Sequence, residues 1–587
     1  MDSKETTESV PAPRTGRQAR FQGAVSTECI EQYLRLLAAF RDLRKHAAAF
    51  ETVPPPYSES GATQASTSDQ WPVLRIKALV RFEMYLTQVL PRAPNFRAPL
   101  LALAHLNLEW FAQKEPVFVD VPEAFLPPLD VALIWHTYML NPSRFYEDVY
   151  LVDSRYVLGY FKFPLGRELG NPAASDTWEE LTGTPAQLLS WETPGHPVDC
   201  PSCGTSTVFS WDQLAEGSWA AKCANCSFMI TRGSVLGKRW KDDAERWALG
   251  GSDVHGWRMR GGVLSPKNGA FMQKDPFAPV LVRLFVNQRD TEKANHDMYG
   301  HPLLDTNVDI YGPICQGTGL PEALYSSFQD IDALGKEVLR LTRRTVDRGR
   351  ATPNQKEILH EDILRRVSLL MRSYVGAHPL SEASLDLVQA MQRQFRFIET
   401  ADELGWLDMP HKANPKNAQL RYYAWLALAW MHDEVFSPTL DIDLAWHTHQ
   451  LDPAYYCNMF KMLGHFLDHD DTVEEDALSS AFEKSAVIWE HAYKQPYTVT
   501  GMVRPHSMVK KLFARGKGKA KETIADEVET ATQPSQHNAV TVEGHDLRGM
   551  EPFHVTGTTE APGHCISGPG ATARGACISG KVKYKPA

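Results

Sequence analysis

One short segment occurs twice in this chain, and it restricts the fold more than any other feature of the sequence. Residues 129–142 read LDVALIWHTYMLNP and residues 440–453 read LDIDLAWHTHQLDP, and the two align without a gap at an offset of 311 residues. Tryptophan and histidine are rare, so chance does not account for the shared Leu-Asp-x-x-Leu-x-Trp-His-Thr pattern. The sequence therefore predicts two related units, one on each side of a central region.

Each copy of the repeated segment is predicted to be a helix, a sharp corner and a second helix. Asn141-Pro142 and Asp452-Pro453 place a capping side chain before a proline, which is typical of a helix N-terminus. The residue before a proline is also pushed out of the helical region, which ends the preceding segment. Helical periodicity predicts further helices near residues 26–51 (with Ser26 or Thr27 as N-cap), 71–90, 96–114, 331–348, 356–375, 385–400, 420–432 and 455–467.

The length of the chain and its changes of composition predict several domains. A chain of 587 residues is too long for one hydrophobic core. The predicted fold is mainly α: two helical repeat-related domains, an inserted small zinc-ribbon-like module with a β-containing connector (a strand near 280–286), and disordered termini. The boundaries are 1–25 for the leader, 26–190 and 321–502 for the helical domains, 191–320 for the module and connector, and 503–587 for the tail.

Four cysteines in the central region predict a metal site. Cys200, Cys203, Cys223 and Cys226 form two Cys-x-x-Cys pairs with nineteen residues between them, which is a spacing typical of tetrahedral zinc. Gly204 permits the chain reversal after the first pair. Four thiolates leave no open coordination position, so zinc here would be a structural cofactor. The alternative is four free or redox-active thiols.

The repeated motif contains candidate ligands, and two interpretations are open for it. In the first, its Trp and His side chains are core residues, and each His donates a hydrogen bond to Asp130 or Asp441, or to a backbone carbonyl. In the second, His447, His449 and Asp441 or Asp443 bind a metal, although a helix would place the two histidines on opposite faces. The motif residues considered are Asp130, Trp135, His136, Asp441, Asp443, Trp446, His447 and His449.

The repeated motif and the Asn/Asp-Pro that follows it resemble the glycine-rich domain-containing protein-like family. The resemblance covers residues 70–160 and 350–495, and the Trp-His-Thr-His form at 446–449 is its most specific part. The stretch HDDTVEEDALSSAF, which begins at His469, is also similar to the family. The resemblance implies the architecture, and it implies no reaction that could be carried over residue by residue.

The remaining signals concern partners and location. Pro54, Pro55, Pro56 and Tyr57 form a Pro-Pro-x-Tyr segment of the kind that WW domains bind, and a plain loop is the alternative. The basic run at 510–522 favours a solvated linker over a nuclear signal or a polyanion contact, and the net charge of −10 argues against a surface devoted to nucleic acid. The N-terminus lacks the apolar core of a secretory signal, and no apolar run reaches membrane-spanning length.

These observations lead to one preferred function and two rivals. The preferred hypothesis is a non-enzymatic scaffold or adaptor of the cytoplasm or nucleus, which recruits protein partners through its termini. The first rival is a metal-dependent, oxygenase-like enzyme that uses the Trp-His-Thr-His motif. The second is an RNA-associated factor acting through the cysteine module and the basic tail.

Overall fold

The structure is a computed structural model, and the fold is described for part of the chain. The described residues are 23–48, 69–96, 118–152, 155–248, 260–261, 331, 336, 370–431, 436–456, 459, 467–470, 475–498 and 539–541. They are mainly helical, as predicted. The Pro-Pro-x-Tyr segment, the basic run at 510–522, the strand near 280–286 and most of the helices near 96–114, 331–348 and 356–375 lie outside them.

Between residues 23 and 96, the described segments contain two long helices. Helix α1 (Thr27–Ala48) begins where predicted, because the Ser26 hydroxyl accepts a hydrogen bond from the Cys29 amide at 3.1 Å. Helix α2 (Trp71–Met84) is shorter than predicted and continues as a π-helical turn at Tyr85–Val89 and a 3₁₀ turn at Leu90–Arg92. Pro91 explains the change, since it has no N–H to donate and its ring collides with the preceding turn.

The first repeated segment folds as helix, corner and helix. Helix α3 (Leu129–Met139) ends at Leu140, and α4 (Pro142–Leu151) follows directly. The predicted role of Asn141 as a side-chain N-cap is wrong, because its amide donates to the Thr137 carbonyl of α3 at 3.0 Å and makes no cap bond to α4. Asn141 thus closes the helix before the corner. An amide can donate as well as accept, which the sequence pattern does not resolve.

The second repeated segment has the same form. Its first helix spans Leu440–Gln450, and residues 453–456 are helical after Pro453. Here the predicted cap is confirmed: the Asp452 carboxylate accepts from the Tyr455 amide at 3.3 Å.

The described residues form further helices. In chain order they are α5 (Pro172–Thr182), α6 (Trp211–Glu216), α7 (Arg232–Ala248), α8 (Leu387–Glu403), α9 (Pro415–Met431), α10 (Leu440–Gln450) and α11 (Glu475–Tyr493). Short 3₁₀ turns lie at Glu123–Phe125, Tyr156–Gly159, Leu188–Ser190 and Pro410–Ala413.

Within the described residues, three antiparallel strand pairs accompany the helices. Strand β1 (Gly195–Asp199) pairs with β2 (Ser206–Ser210), and β3 (Ala220–Lys222) pairs with β4 (Met229–Thr231). Strand β5 (Asp468–Asp470) pairs with β6 (Ala539–Thr541), with Asp468 opposite Thr541. The tail was expected to be disordered throughout, and that expectation is wrong for the three residues of β6.

Helix α1 occupies the centre of the helical part. It contacts α3 of the first repeated segment and α10 of the second, and it also packs against α8 and α9. Its apolar side chains, among them Ile30, Leu34 and Leu37, are fully buried there. The two repeated segments are therefore packed around one shared helix. Among the described helices, none combines the length and apolar character needed to cross a membrane.

Candidate metal centres and the buried contacts of the motif helices

The first Cys-x-x-Cys pair lies in the turn that joins β1 to β2. The Gly204 amide donates to the Cys200 carbonyl at 2.9 Å, and the Cys200 amide donates to the Thr205 carbonyl at 3.0 Å. Gly204 has φ = +74°, a left-handed conformation that a residue without a Cβ adopts without strain. The turn therefore directs Cys200 and Cys203 to the same side.

The second pair lies in an equivalent turn between β3 and β4. The Ser227 amide donates to the Cys223 carbonyl at 2.9 Å, and the Cys223 amide donates to the Phe228 carbonyl at 2.8 Å. Ser227, the residue after the second cysteine, Cys226, is also left-handed, with φ = +60°. The two cysteine pairs are thus held by the same backbone geometry.

The two turns bring all four sulfurs together. The Cys200 and Cys226 sulfurs are 3.6 Å apart, those of Cys203 and Cys223 are 3.5 Å apart, and the four lie within 4.8 Å of one another. These distances are far longer than a disulfide bond. Zinc–sulfur bonds of about 2.3 Å in a tetrahedron place neighbouring sulfurs about 3.8 Å apart. The four cysteines are therefore arranged as a site that could hold a metal ion.

The surroundings of the four cysteines act on their thiols in opposite directions. The Thr205 hydroxyl and amide favour the thiolate of Cys203 and lower the pKa of that thiol to about 6, whereas burial raises the pKa of the Cys200 thiol to about 11. The Phe209 and Trp219 rings pack 4.7 Å apart beneath the hairpins, and Trp211 packs against Trp191 at 5.3 Å. The module is thereby attached to the helical part of the protein.

Asp130, the second residue of the first motif, forms a buried ion pair. Arg81 of α2 donates from Nε to the Asp130 carboxylate at 2.7 Å, and from Nη2 to the Ala186 carbonyl at 2.5 Å. Its guanidinium lies 4.5 Å from the centre of the Trp178 ring. One arginine thus holds α2, α3, α5 and the chain after α5 together.

Asp441 of the second motif forms the corresponding pair. Arg421 of α9 donates from Nε to the Asp441 carboxylate at 2.6 Å, and from Nη2 to the Tyr497 carbonyl at 2.8 Å. Its guanidinium lies 4.9 Å from the centre of the Trp489 ring. The residues that surround the two arginines correspond at the offset of 311 residues. Asp441 corresponds to Asp130, Trp489 to Trp178, and Tyr497 to Ala186.

Neither arginine was found from the sequence. The two motif aspartates thus pair with arginines, whereas the motif histidines contact Tyr33, and His447 also contacts His469 and Asp443. Arg81 precedes its aspartate by 49 residues, whereas Arg421 precedes Asp441 by 20. A gapless alignment of the motif therefore could not reveal that the two arginines correspond.

The motif tryptophans are fully buried. Trp135 packs against Phe163 at 5.3 Å, and Trp446 packs against Trp425 at 5.2 Å. The Trp446 indole N–H donates to the Tyr456 hydroxyl at 3.1 Å. All eight motif residues considered above are buried within the protein.

The first histidines of the two motifs meet at one tyrosine of α1. The Tyr33 hydroxyl oxygen lies 2.9 Å from Nε2 of His136 and 3.4 Å from Nδ1 of His447. Burial, together with the nearby Asp443 carboxylate, raises the pKa of Tyr33 well above its usual value. Burial, together with His447 and His469, lowers the pKa of His136 well below its usual value. A neutral phenol and a neutral imidazole therefore share this contact.

A second group of metal-ligating side chains surrounds His447. Its Nε2 lies 2.9 Å from Nε2 of His469 and 3.2 Å from Oδ1 of Asp443, one helical turn earlier on α10. The three donor atoms lie within 4.8 Å of one another, and all three residues are buried. His469 was not predicted as a ligand. The family-like stretch that begins at this residue is the signal in the sequence that could have found it.

His449 lies on the other face of α10. Its Nδ1 is 2.8 Å from the Tyr422 hydroxyl, and burial lowers its pKa to about 3. The ligand set of His447 and His449 with Asp441 or Asp443 does not form, because the helix separates the two histidines and Asp441 pairs with Arg421. Of the predicted ligands, Asp443 and His447 are the two that the structure brings together.

One family match locates the region of this chain that is similar to known proteins, and two relatives are similar to part of the chain. Residues 368–459 match the family described as Glycine-rich domain-containing protein-like. Glycine-rich domain-containing proteins 1 and 2 of Arabidopsis thaliana are 34% and 35% identical over 126 residues, which is 20% of this chain. The matches span only 15% and 16% of the length of those relatives. No solved structure is significantly similar to the chain.

Proposed function

Because the chain carries a domain of the glycine-rich domain-containing protein-like family, we propose that it is a non-enzymatic scaffold stabilised by zinc. In this proposal two helical units, related by duplication, surround α1, and a structural zinc ion in the four-cysteine site stabilises the module beside them. Protein partners bind to segments outside this core.

The observation that supports a structural role most directly is the use of the motif aspartates. Asp130 and Asp441 are 3% and 1% exposed, and each neutralises an arginine that reaches a backbone carbonyl and a tryptophan of a later helix. A buried carboxylate that is occupied in this way is not available to a substrate. Its removal would leave an uncompensated charge in the interior.

Zinc is the metal that the four-cysteine site fits best. Thiolates are soft ligands, and a tetrahedral set of four is typical of structural zinc in proteins. Cys200 and Cys223 are buried, whereas Cys203 and Cys226 are exposed, so the ion would lie at the surface of a small fold. Such a site contributes folding free energy directly, since the unfolded chain holds no preformed ligand set.

A WW-domain protein is the partner class that the sequence favours. The segment Pro54-Pro55-Pro56-Tyr57 lies between α1 and α2, and a polyproline segment loses little conformational entropy when it docks. Binding there would leave the buried motif contacts unchanged. The partner would thus be recruited beside the core.

Titration of the purified full-length chain with a panel of WW domains tests this proposal. We expect at least one domain to bind in isothermal titration calorimetry, and Tyr57→Ala to abolish the heat of binding. Tyr455→Ala, which truncates a tyrosine that is 55% exposed, is the matched control and should bind normally. Failure of every WW domain, or unchanged binding by Tyr57→Ala, would refute the partner assignment.

A further inference from the structure

We propose that Asp443, His447 and His469 bind a second metal ion, a divalent first-row ion such as zinc, in the interior of the second repeated unit. Two imidazoles and one carboxylate are a donor set used by zinc and by non-haem iron sites in proteins. The site is separate from the four cysteines and shares no ligand with them.

The distances between the donor atoms suit one ion. Metal–nitrogen bonds are about 2.1 Å long, and zinc–carboxylate bonds are similar. With bonds of that length, the separation of 2.9 Å between the histidine nitrogens corresponds to an angle of about 90° at the metal. The separation of 3.2 Å between His447 Nε2 and Asp443 Oδ1 corresponds to about 100°. The third pair of donors, on His469 and Asp443, lies within 4.8 Å.

The contact between His447 and Tyr33 selects the tautomer that a metal needs. When Nδ1 of His447 carries the proton, it can donate to the Tyr33 hydroxyl, which in turn donates to Nε2 of His136. The lone pair of His447 Nε2 then points toward His469 and Asp443. Metal-bound histidines are commonly oriented in this way through the other ring nitrogen.

Strand β5 fixes the third ligand. The Asp468 carboxylate accepts one hydrogen bond from the His469 amide at 3.1 Å and another from the Ser143 amide of α4 at 3.2 Å. The Trp446 ring packs against the His469 ring at 4.7 Å. The imidazole is thus held by the strand, by the other repeated unit and by a motif tryptophan.

The first repeated unit provides an internal comparison. The offset of 311 residues places Ala132 at the position of Asp443 and Leu158 at the position of His469. Only His136 of the three donors is present there, and its Nε2 contacts Tyr33. We therefore expect the second unit to bind this ion and the first unit to bind none.

Metal analysis of the full-length protein tests the proposal. After loading with Zn²⁺ and desalting, we expect about two zinc ions per chain by elemental mass spectrometry. His469→Leu, which introduces the residue of the first unit, and Asp443→Asn should each lower the count to about one. His449→Tyr is the matched control: it replaces a buried histidine on the opposite face of α10 by the residue of the first unit, and should retain both ions.

X-ray absorption at the zinc edge identifies the ligands independently of any variant of the second site. In a Cys200→Ser, Cys203→Ser double variant, the remaining zinc should have nitrogen and oxygen neighbours at about 2.0–2.1 Å and no sulfur at about 2.3 Å. A wild-type protein with only sulfur-bound zinc would overturn the proposal and leave a hydrogen-bonded His–His–Asp cluster. The proposed scaffold, which needs only the cysteine-bound zinc, would survive that result.

Discussion

The buried pair of Arg421 and Asp441 gives the sharpest prediction for the fold. Their side chains are 7% and 1% exposed, so solvent does little to screen them. Asp441→Asn keeps the size of the side chain and removes its charge. Removing one partner of a buried pair costs about 3–5 kcal/mol. The guanidinium retains the Tyr497 carbonyl and the Trp489 ring, so we expect the lower end of that range, about 3 kcal/mol.

Urea unfolding measures this effect. Tryptophan fluorescence is a suitable signal because Trp489 packs over the pair, and far-UV circular dichroism reports the loss of helix. Glu31→Gln is the control, because Glu31 and Arg35 form a solvent-exposed pair on α1 and should change the stability by less than about 1 kcal/mol. The variant and the control are compared under the same loading with zinc.

A double substitution separates the charge from the packing. Arg421→Met with Asp441→Leu removes both charges and fills the space with apolar side chains, so it should destabilise the protein less than Asp441→Asn alone. The reasoning is refuted if Asp441→Asn behaves like Glu31→Gln, or if the double variant is less stable than the single one. Asp130→Asn should repeat the result of Asp441→Asn in the first unit.

Three further predictions concern the tyrosine contact, the cysteines and pH. Tyr33→Phe removes the hydroxyl between His136 and His447 and should cost about 1–3 kcal/mol of unfolding free energy, measured by urea denaturation. Cys200→Ser should release zinc at lower chelator concentration than the wild type, measured with a chromogenic chelator, because one of four ligands is lost. His449 has a pKa of about 3 when folded, against about 6.5 when unfolded, so between these values the unfolded chain binds more protons. The stability that the neutral His449 contributes is present above about pH 6.5 and is lost as the pH falls toward 3. The melting temperature of His449→Tyr should therefore depend less steeply on pH in that window than that of the wild type.

Local patterns in the sequence were sufficient to predict much of the fold. Apolar periodicity predicted α1, α8 and α9 to within a few residues at each end. Each of these helices buries many apolar side chains, and this burial produces the pattern in the sequence. The spacing of the cysteines predicted that two turns would bring four thiols together, and the geometry of Gly204 followed from the same pattern. These features depend on residues that are close in the chain.

Contacts between distant residues were not predictable in the same way. Tyr33 contacts His447, which lies 414 residues later in the chain, and no sequence pattern near either residue predicts this contact. His469 follows His447 by 22 residues and belongs to a short strand, where neither helical spacing nor a Cys-x-x-Cys pattern marks it. The pairing of β5 with β6 likewise joins two three-residue segments that are far apart in the chain, and segments of that length carry little periodic signal.

The two repeated segments differ in a way that separates structural from chemical residues. The carboxylate, the tryptophan and the carbonyl around each arginine occur in both units, and this set of contacts holds three helices together in each case. Asp443, His469 and His449 occur in the second unit only, where the first has Ala132, Leu158 and Tyr138. The first unit folds without these three polar side chains, so the fold itself does not require them. His449 contacts the Tyr422 hydroxyl, whereas Asp443 and His469 both contact His447. The two segments therefore share the residues that hold the helices together and differ in the residues of the proposed second metal site.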